Sequence, residues 1–426
     1  MARNVFILGL DQHNLEILRR LPGAGELAFH RLLSVEELQG EHIDVPVLLD
    51  RAVQQLEAFD GPIDAIVSFW DFPMVVMVPI LCARYGLPSA NLLAVLRCEH
   101  KLWARNVQAS TLDELPAYGL LDLDIPAPVL PEGVHYPVWI KPVNGASSEG
   151  AFKVHDDGEL RARLPEVRAV IDRLGRPFQE VMNMVEAPPE IARVGGMGCL
   201  VEEPATGHQM TVEGFSHDGE VVVYGVIDSI SYPGTSSFLR YQYPARVPWE
   251  VQERMSDISR RVVAKTGLAQ STFNIEFFWD EPTGALNVLE VNARHSQEHA
   301  PLFEMVDGVS NHQAMLDVAF GRTPQMAHRA GSYGMATKWF LRHFGDGIVR
   351  SVPSGEQIAA LEHDVPGTTV RVTAIPGEQL SRRHAEDAYS SVLATVYIGG
   401  RDEQEITAAY RRCLQTLAFE IDEVKN

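Results

Sequence analysis

Glu276, Glu290, Asn292 and Arg294 are the residues of this 426-residue chain whose types and spacing most directly imply chemistry. They lie in two apolar segments, FNIEFFWD and VLEVNAR, joined by a turn near Pro282 to Gly284. A turn centred at Thr283 sets Glu276 opposite Glu290 and Asn274 opposite Asn292 in an antiparallel pair. Side chains alternate along a strand, so Glu290, Asn292 and Arg294 share one face. Leu289 and Val291, with Phe273, Ile275 and Phe277, then point into a core. Directly opposed glutamates repel unless a cation sits between them. The shared face carries no lysine, which an exposed strand would usually show. Carboxylate and amide oxygens suit hard divalent cations, and Mg²⁺ is usually shared with substrate phosphates. Arg294 adds a planar cationic fork for a phosphate or an acyl phosphate.

The strand runs on into His295, Ser296, Gln297, Glu298 and His299. H-x-x-E-H is also a zinc-enzyme signature, but it needs a helix to set both histidines on one side. Here a strand leads directly into His295, and Pro301 follows soon after His299. The segment reads better as a loop leaving the carboxylate site, with His295, Ser296, Glu298 and His299 as substrate-side candidates beside Glu213 and His217. Upstream, Lys141 ends the apolar strand PVWIKP and precedes the loop VNGASSEG. A lysine there is costly to bury unless it meets an anion. Free backbone N–H groups around Ser147, Ser148 and Gly150 make a phosphate cradle in kind, though not a Walker A loop. PFQEVMNMVE reads as a strand, and Glu180, Val181 and Met182 could offer a donor and an acceptor to an adenine edge.

These groups need rigid elements to hold them. The first 100 residues alternate apolar strands (NVFILGL, AIVSF) with helical segments, the pattern of an α/β layer. The turn after Leu8 is G-L-D-Q-H-N, not G-x-G-x-x-G, which removes the main support for a dinucleotide-dependent oxidoreductase. RCEHKLWARNVQAS is helical, with Lys101 and Arg105 one turn apart. MTVEGFSHDGEVVVYGVID is a hairpin turning at Asp218-Gly219. A helix is expected from Arg246 to Lys265. Beyond Ala330, GTTVRVTAI and SVLATVYIGG are strands and EITAAYRRCLQTLAFEI is a helix. A net charge of −21 disfavours non-specific binding to nucleic acid or anionic membrane. Cys82, Cys98, Cys199 and Cys413 are widely spaced, arguing for reduced thiols in a cytoplasmic protein rather than a disulfide framework. The apolar run around Pro73 to Ala83 is too short to span a bilayer.

The order of these parts is what carries a resemblance. An α/β unit is followed by Lys101 on a helix, Lys141 before a Gly/Ser loop, Q-E-V-M, V-E-G-F, N-I-E-F-F and L-E-V-N-A-R. From Asn4 to Pro324 this resembles the ATP-grasp superfamily of carboxylate–amine ligases. The C-terminal part looks more loosely like L-amino-acid ligases that make dipeptides. The resemblance implies an α/β and α+β architecture with three parts: a Rossmann-like domain over 1–100, an ATP-grasp core over 101–325 with a lid at about 137–205, and an α+β subdomain over 326–426. It implies ATP contacts at Lys101, Lys141, Ser147, Ser148 and Gly150, and an adenine hinge at Glu180 to Met182. Gln209 or Glu186 would contact the ribose, because the usual glutamate of G-x-E-[FY]-[ST]-V is replaced in GHQMTV. Glu276, Glu290 and Asn292 would hold two Mg²⁺ (or Mn²⁺), and Arg294 and Lys141 would be catalytic. Ala293 replaces the usual proline of E-x-N-P-R. The expected function is an ADP-forming ligase that joins a small carboxylate, such as an amino acid, to an amine through an acyl phosphate. A homodimer is common in such enzymes. The alternatives are an ATP-grasp carboxylase activating bicarbonate, a zinc hydrolase using His295, Glu298 and His299, and a module that binds ATP without turnover.

Overall fold

A computed structural model describes residues 2–40, 42–112, 115–145, 149–383 and 390–424. Three bodies of sheet organise the chain. In the first, β1 (Arg3–Leu8), β2 (Leu27–Leu32) and β3 (Ala65–Val67) form a parallel sheet in the order β2-β1-β3. The NVFIL run becomes its central strand because both of its faces are covered. Gly9, at φ +70°, turns the chain out of β1, and Asp11 caps the helix Gln12–Arg19 through the N–H of Asn14.

The second body is the antiparallel sheet β4-β7-β5-β6, from β4 (Tyr118–Leu121), β5 (Val138–Pro142), β6 (Phe152–Val154) and β7 (Cys199–Glu202). Helix Asp157–Val170 packs on it and runs through one π-helical turn into helix Arg176–Met182. This overturns the strand expected for PFQEVMNMVE. Phe178, Val181 and Met182 recur at helical spacing, and that face is buried.

The third body is an eight-stranded antiparallel sheet in the order β12-β11-β8-β9-β10-β13-β16-β15. Its strands are β8 (His208–His217), β9 (Glu220–Ser231), β10 (Phe238–Tyr243), β11 (Ser271–Trp279), β12 (Leu286–Asn292), β13 (Met335–Phe344), β15 (Thr368–Val372) and β16 (Ser390–Gly400). A separate ribbon pairs β14 (Gly347–Ser351) with β17 (Glu420–Glu423). The expected terminal helix therefore stops at Thr416, and its last residues are strand. Asp218 and Gly219, both at positive φ, make the tight turn of the β8–β9 hairpin. One face of the large sheet is apolar. Helix Trp249–Thr266 covers its β8–β12 half, and helices Gly355–Asp364 and Glu403–Thr416 cover its β13–β15 half. The other face carries the polar side chains of β8, β11 and β12, and helix Ala300–Asp307 covers Ile227, Tyr243 and Ala336 on it. Among the described residues, no helix is long and apolar enough to cross a membrane.

Candidate functional site

The β11–β12 hairpin holds the centre of the site. Its register sets Glu276 opposite Glu290 and Asn274 opposite Asn292, as the turn position predicts. A bulge after Glu276 shifts the next pair, so Val288 rather than Leu289 enters the core. The carbonyls freed there are taken by Arg105, at 2.9 Å from Val288 O and 3.0 Å from Leu289 O.

Glu276 is pushed up to about 7, by burial first and then by Glu290 across the pair. Its Oε2 accepts from Gln209 Nε2 at 2.9 Å. Burial also opposes ionisation of Glu290, but Lys101, Lys141 and Arg294 hold its carboxyl below the ordinary range. Lys101 Nζ lies 2.6 Å from Glu290 Oε1 and 2.8 Å from Gly145 O, at the root of the loop after β5. His100 places this lysine: its side chain accepts from Trp103 N–H and so caps the helix Lys101–Ala109.

Lys141 and Arg105 both pair with Glu202 at the end of β7. Glu202 is nearly buried; these two cations overcome the burial and hold its carboxyl down at about 2. Arg294 reaches the other way, with Nε 2.6 Å from Asp71 Oδ1 in the N-terminal unit. Glu99 also lies in this group, pushed up to about 8 by burial and by Asp71. Asp71, Glu99 and Glu202 carry no local motif and are not singled out by sequence reasoning. Arg105 stands there only as one helical turn from Lys101, with no site role.

Several expected residues lie elsewhere. Glu180 is exposed on the helix Arg176–Met182, while Val181 and Met182 are core, so no strand edge is presented at the expected adenine hinge. The chain instead crosses from the lid sheet to the large sheet at 203–207, between β7 and β8. Ser147 and Ser148 lie outside the described residues. Gly150, at φ +70°, packs beside Pro142 and Val170. His217 sits at the turn end of β8, six residues beyond the Thr211 that faces Glu276, and contacts Gln270 rather than the site.

The HSQEH segment is a 3₁₀ turn over Gln297–His299, and its histidines diverge. His295 Nε2 meets His312 Nδ1 at 2.8 Å, whereas His299 Nδ1 meets Glu213 Oε1 at 2.8 Å. Glu298 pairs with Lys338 of β13. Among the described residues, no group of three or more His, Cys, Asp or Glu side chains is gathered as a metal cage, and the zinc arrangement expected of H-x-x-E-H is not formed. Glu213 Oε1 also accepts from Asn274 Nδ2 at 2.9 Å and Ser296 N at 3.0 Å, which ties this loop to β8 and β11.

Comparison with known proteins agrees with this architecture. Residues 134–300 match the ATP-grasp domain family. The chain is 24% identical over 371 residues to an uncharacterized protein, y4rH, of Sinorhizobium fredii, covering 84% of this chain and 69% of that one. A D-alanine–D-alanine ligase of Pelodictyon phaeoclathratiforme is 26% identical over 189 residues, covering 42% of this chain and 44% of the ligase. In fold, an L-amino acid ligase from Bacillus licheniformis superposes with a TM-score of 0.71 at 17% identity, covering 99% of each chain. A biotin carboxylase from Campylobacter jejuni superposes at 0.62 with 14% identity, covering 99% of this chain and 93% of that one. Residues 134–300 thus match an ATP-grasp domain, and the chain as a whole shares the fold of these ligases and carboxylases.

Proposed function

We propose that this protein is an ATP-dependent, ADP-forming ligase that joins a small carboxylate, such as an amino acid, to an amine. The observation that carries the reading is the opposition of Glu276 and Glu290 with Lys101 and Arg294 converging on the same pair. The donor set of two carboxylates and the carboxamide oxygen of Asn292 fits Mg²⁺, or Mn²⁺, better than zinc, because all its donors are hard oxygens. Bound there, the cations would neutralise charge on the ATP phosphates.

The chain's own groups do the rest. Lys101 and Lys141 lie at the root of the loop after β5 and would bind phosphate oxygens, exchanging Glu290 and Glu202 for the nucleotide. Arg294 would leave Asp71 and steady the phosphoryl group as it passes to the substrate carboxylate. The acyl phosphate so formed would then be attacked by the amine, with ordered lid residues keeping water out. The backbone at 203–207, where the lid sheet joins the large sheet, suits the adenine edge that Glu180 to Met182 cannot provide. Gln209, whose Nε2 donates to Glu276 Oε2 at 2.9 Å, would serve the metal site and the phosphates rather than the ribose.

The closer superposition on an L-amino acid ligase, with a TM-score of 0.71 against 0.62 for a biotin carboxylase, supports amide formation over bicarbonate activation. A coupled ADP assay over amino acids, singly and in pairs, tests this. Amine-dependent ADP release is expected with at least one pair. Glu290→Ala and Arg294→Ala should abolish it while circular dichroism stays native; full activity in either variant would sink the assignment.

A further inference from the structure

Glu213, Asn274 and Asn292 stand in one row across three neighbouring strands, because β8 pairs Glu213 with Asn274 and β12 pairs Asn292 with Asn274. The next row on the same face holds Thr211, Glu276 and Glu290. Glu213, Asn274 and Asn292 are all buried, at 0%, 3% and 8% exposure. A buried carboxamide must meet a donor with its oxygen and an acceptor with its nitrogen, and the wrong choice leaves polar groups unmet. The row therefore fixes which end of each amide faces which neighbour.

The direction starts at Glu213. Its Oε1 accepts from the backbone N–H of Ser296 at 3.0 Å, and a backbone N–H can only donate. The group that Asn274 turns toward this acceptor is consequently its NH2, with Nδ2 2.9 Å from Oε1. Asn274 Oδ1 then faces β12, where Asn292 must meet it with a donor, and Asn292 Nδ2 lies 3.2 Å away. Asn292 Oδ1 is left with no donor among the described residues, on the face that carries Glu276 and Glu290. Turning Asn274 end for end would set oxygen against oxygen at Glu213 and NH2 against NH2 at Asn292. Asn292 therefore cannot turn unless Asn274 does, and Glu213 holds Asn274. The same Glu213 oxygen meets His299 Nδ1 at 2.8 Å, so the row is anchored to the loop that follows Arg294.

Hard divalent cations take oxygen donors, and an amide NH2 has no lone pair to give them. We propose that Asn274 is a positioning residue: held by Glu213, it orients Asn292 so that the carboxamide oxygen, and not the NH2, is offered to the cation shared with Glu276 and Glu290. The proposal deepens the ligase reading and rests on it for the metal. It gives Glu213 a task at the metal end of the site, through Asn274, beside its contacts to Ser296 and His299.

Electron paramagnetic resonance of Mn²⁺, titrated with the full chain in the presence of ADP, reads metal affinity without turnover. Asn274→Leu removes the acceptor for Asn292 Nδ2 and should weaken Mn²⁺ binding about tenfold, the usual scale for losing a group that orients a metal ligand. Damage to the fold would lower affinity in any background, whereas loss of orientation matters only while residue 292 is an amide. Asn292→Asp presents an oxygen at either end, one of which abuts Asn274 Oδ1. Adding Asn274→Leu to Asn292→Asp should therefore leave Mn²⁺ affinity unchanged or raise it. Asn274→Ala replaces the leucine in both arms if circular dichroism shows that variant unfolded. Unchanged affinity in the wild-type background, or an equal loss in both backgrounds, overturns the positioning role and leaves the metal site standing. No saturable Mn²⁺ binding by wild type with ADP defeats the metal set and the positioning role together. The expected contrast between backgrounds, without ADP release from any pair of amine and carboxylate, keeps the positioning role and defeats the ligase reading.

Discussion

Arg294 donates its Nε to Asp71 Oδ1 at 2.6 Å, so the guanidinium that closes the E-x-N-x-R strand is held by a carboxylate of the N-terminal unit. Both side chains are largely shielded, at 16% and 27% exposure. Asp71→Asn should therefore cost the ligand-free protein about 1–2 kcal/mol, the low end for a charged hydrogen bond because the pair is partly hydrated. With MgATP present the loss should shrink, since phosphate oxygens take over the guanidinium. Thermal unfolding with and without MgATP measures both; an equal loss in the two conditions contradicts the proposed exchange of partners.

Glu276 and Glu290 face each other on a shielded strand pair. Glu276→Gln removes the repulsion, so the variant without metal should be more stable than wild type at pH 8, by up to about 1 kcal/mol. Millimolar Mg²⁺ with ADP should stabilise wild type and have little effect on the variant. Differential scanning fluorimetry across a magnesium series reads this directly, and equal stabilisation of both proteins would remove Glu276 from the metal set.

His100 is fully buried, accepts from Trp103 N–H through Nδ1 and contacts Gly195 O through Nε2 at 3.0 Å. The ring must stay neutral to do both, and burial lowers it from 6.5 to about 4. The folded protein thus binds fewer protons than the unfolded chain between these values. Its stability should be full above about pH 6.5 and fall as the pH drops toward 4. His13, lowered to about 4 mainly by burial, adds to the same slope. Urea midpoints from pH 7.5 to 4.5 should fall less steeply for His100→Asn, which keeps a capping side chain. An unchanged slope would show that His100 does not contribute.

What could be read from the sequence followed the range of the interactions. The pairing of Glu276 with Glu290 was legible because alternation and a tight turn are both local. The bulge beyond it was not, since it answers to Arg105 reaching in from another helix. The segment around Glu180 misled because a short apolar run fits a strand and a buried helix equally well. Its helical spacing, Phe178 to Val181 to Met182, became decisive only once Phe72 and His100 lay beside it. Lys101 and Lys141 announced themselves as cations in apolar settings. Their partners Glu290 and Glu202, and the Asp71 that holds Arg294, are joined across 61 to 223 positions of sequence, which no spacing encodes.

The eight-stranded sheet has a practical consequence. Because β13 pairs directly with β10, a chain ended near residue 325 would bare an edge from Phe238 to Tyr243 in which Tyr241 loses Lys338 as its neighbour. Such an edge invites pairing with other copies, so the shortened protein is expected to aggregate rather than survive as an autonomous catalyst. For engineers seeking chimeras with proteins of the same fold, the seam to preserve is this strand pair, and the profitable place to cut is a surface turn beyond it.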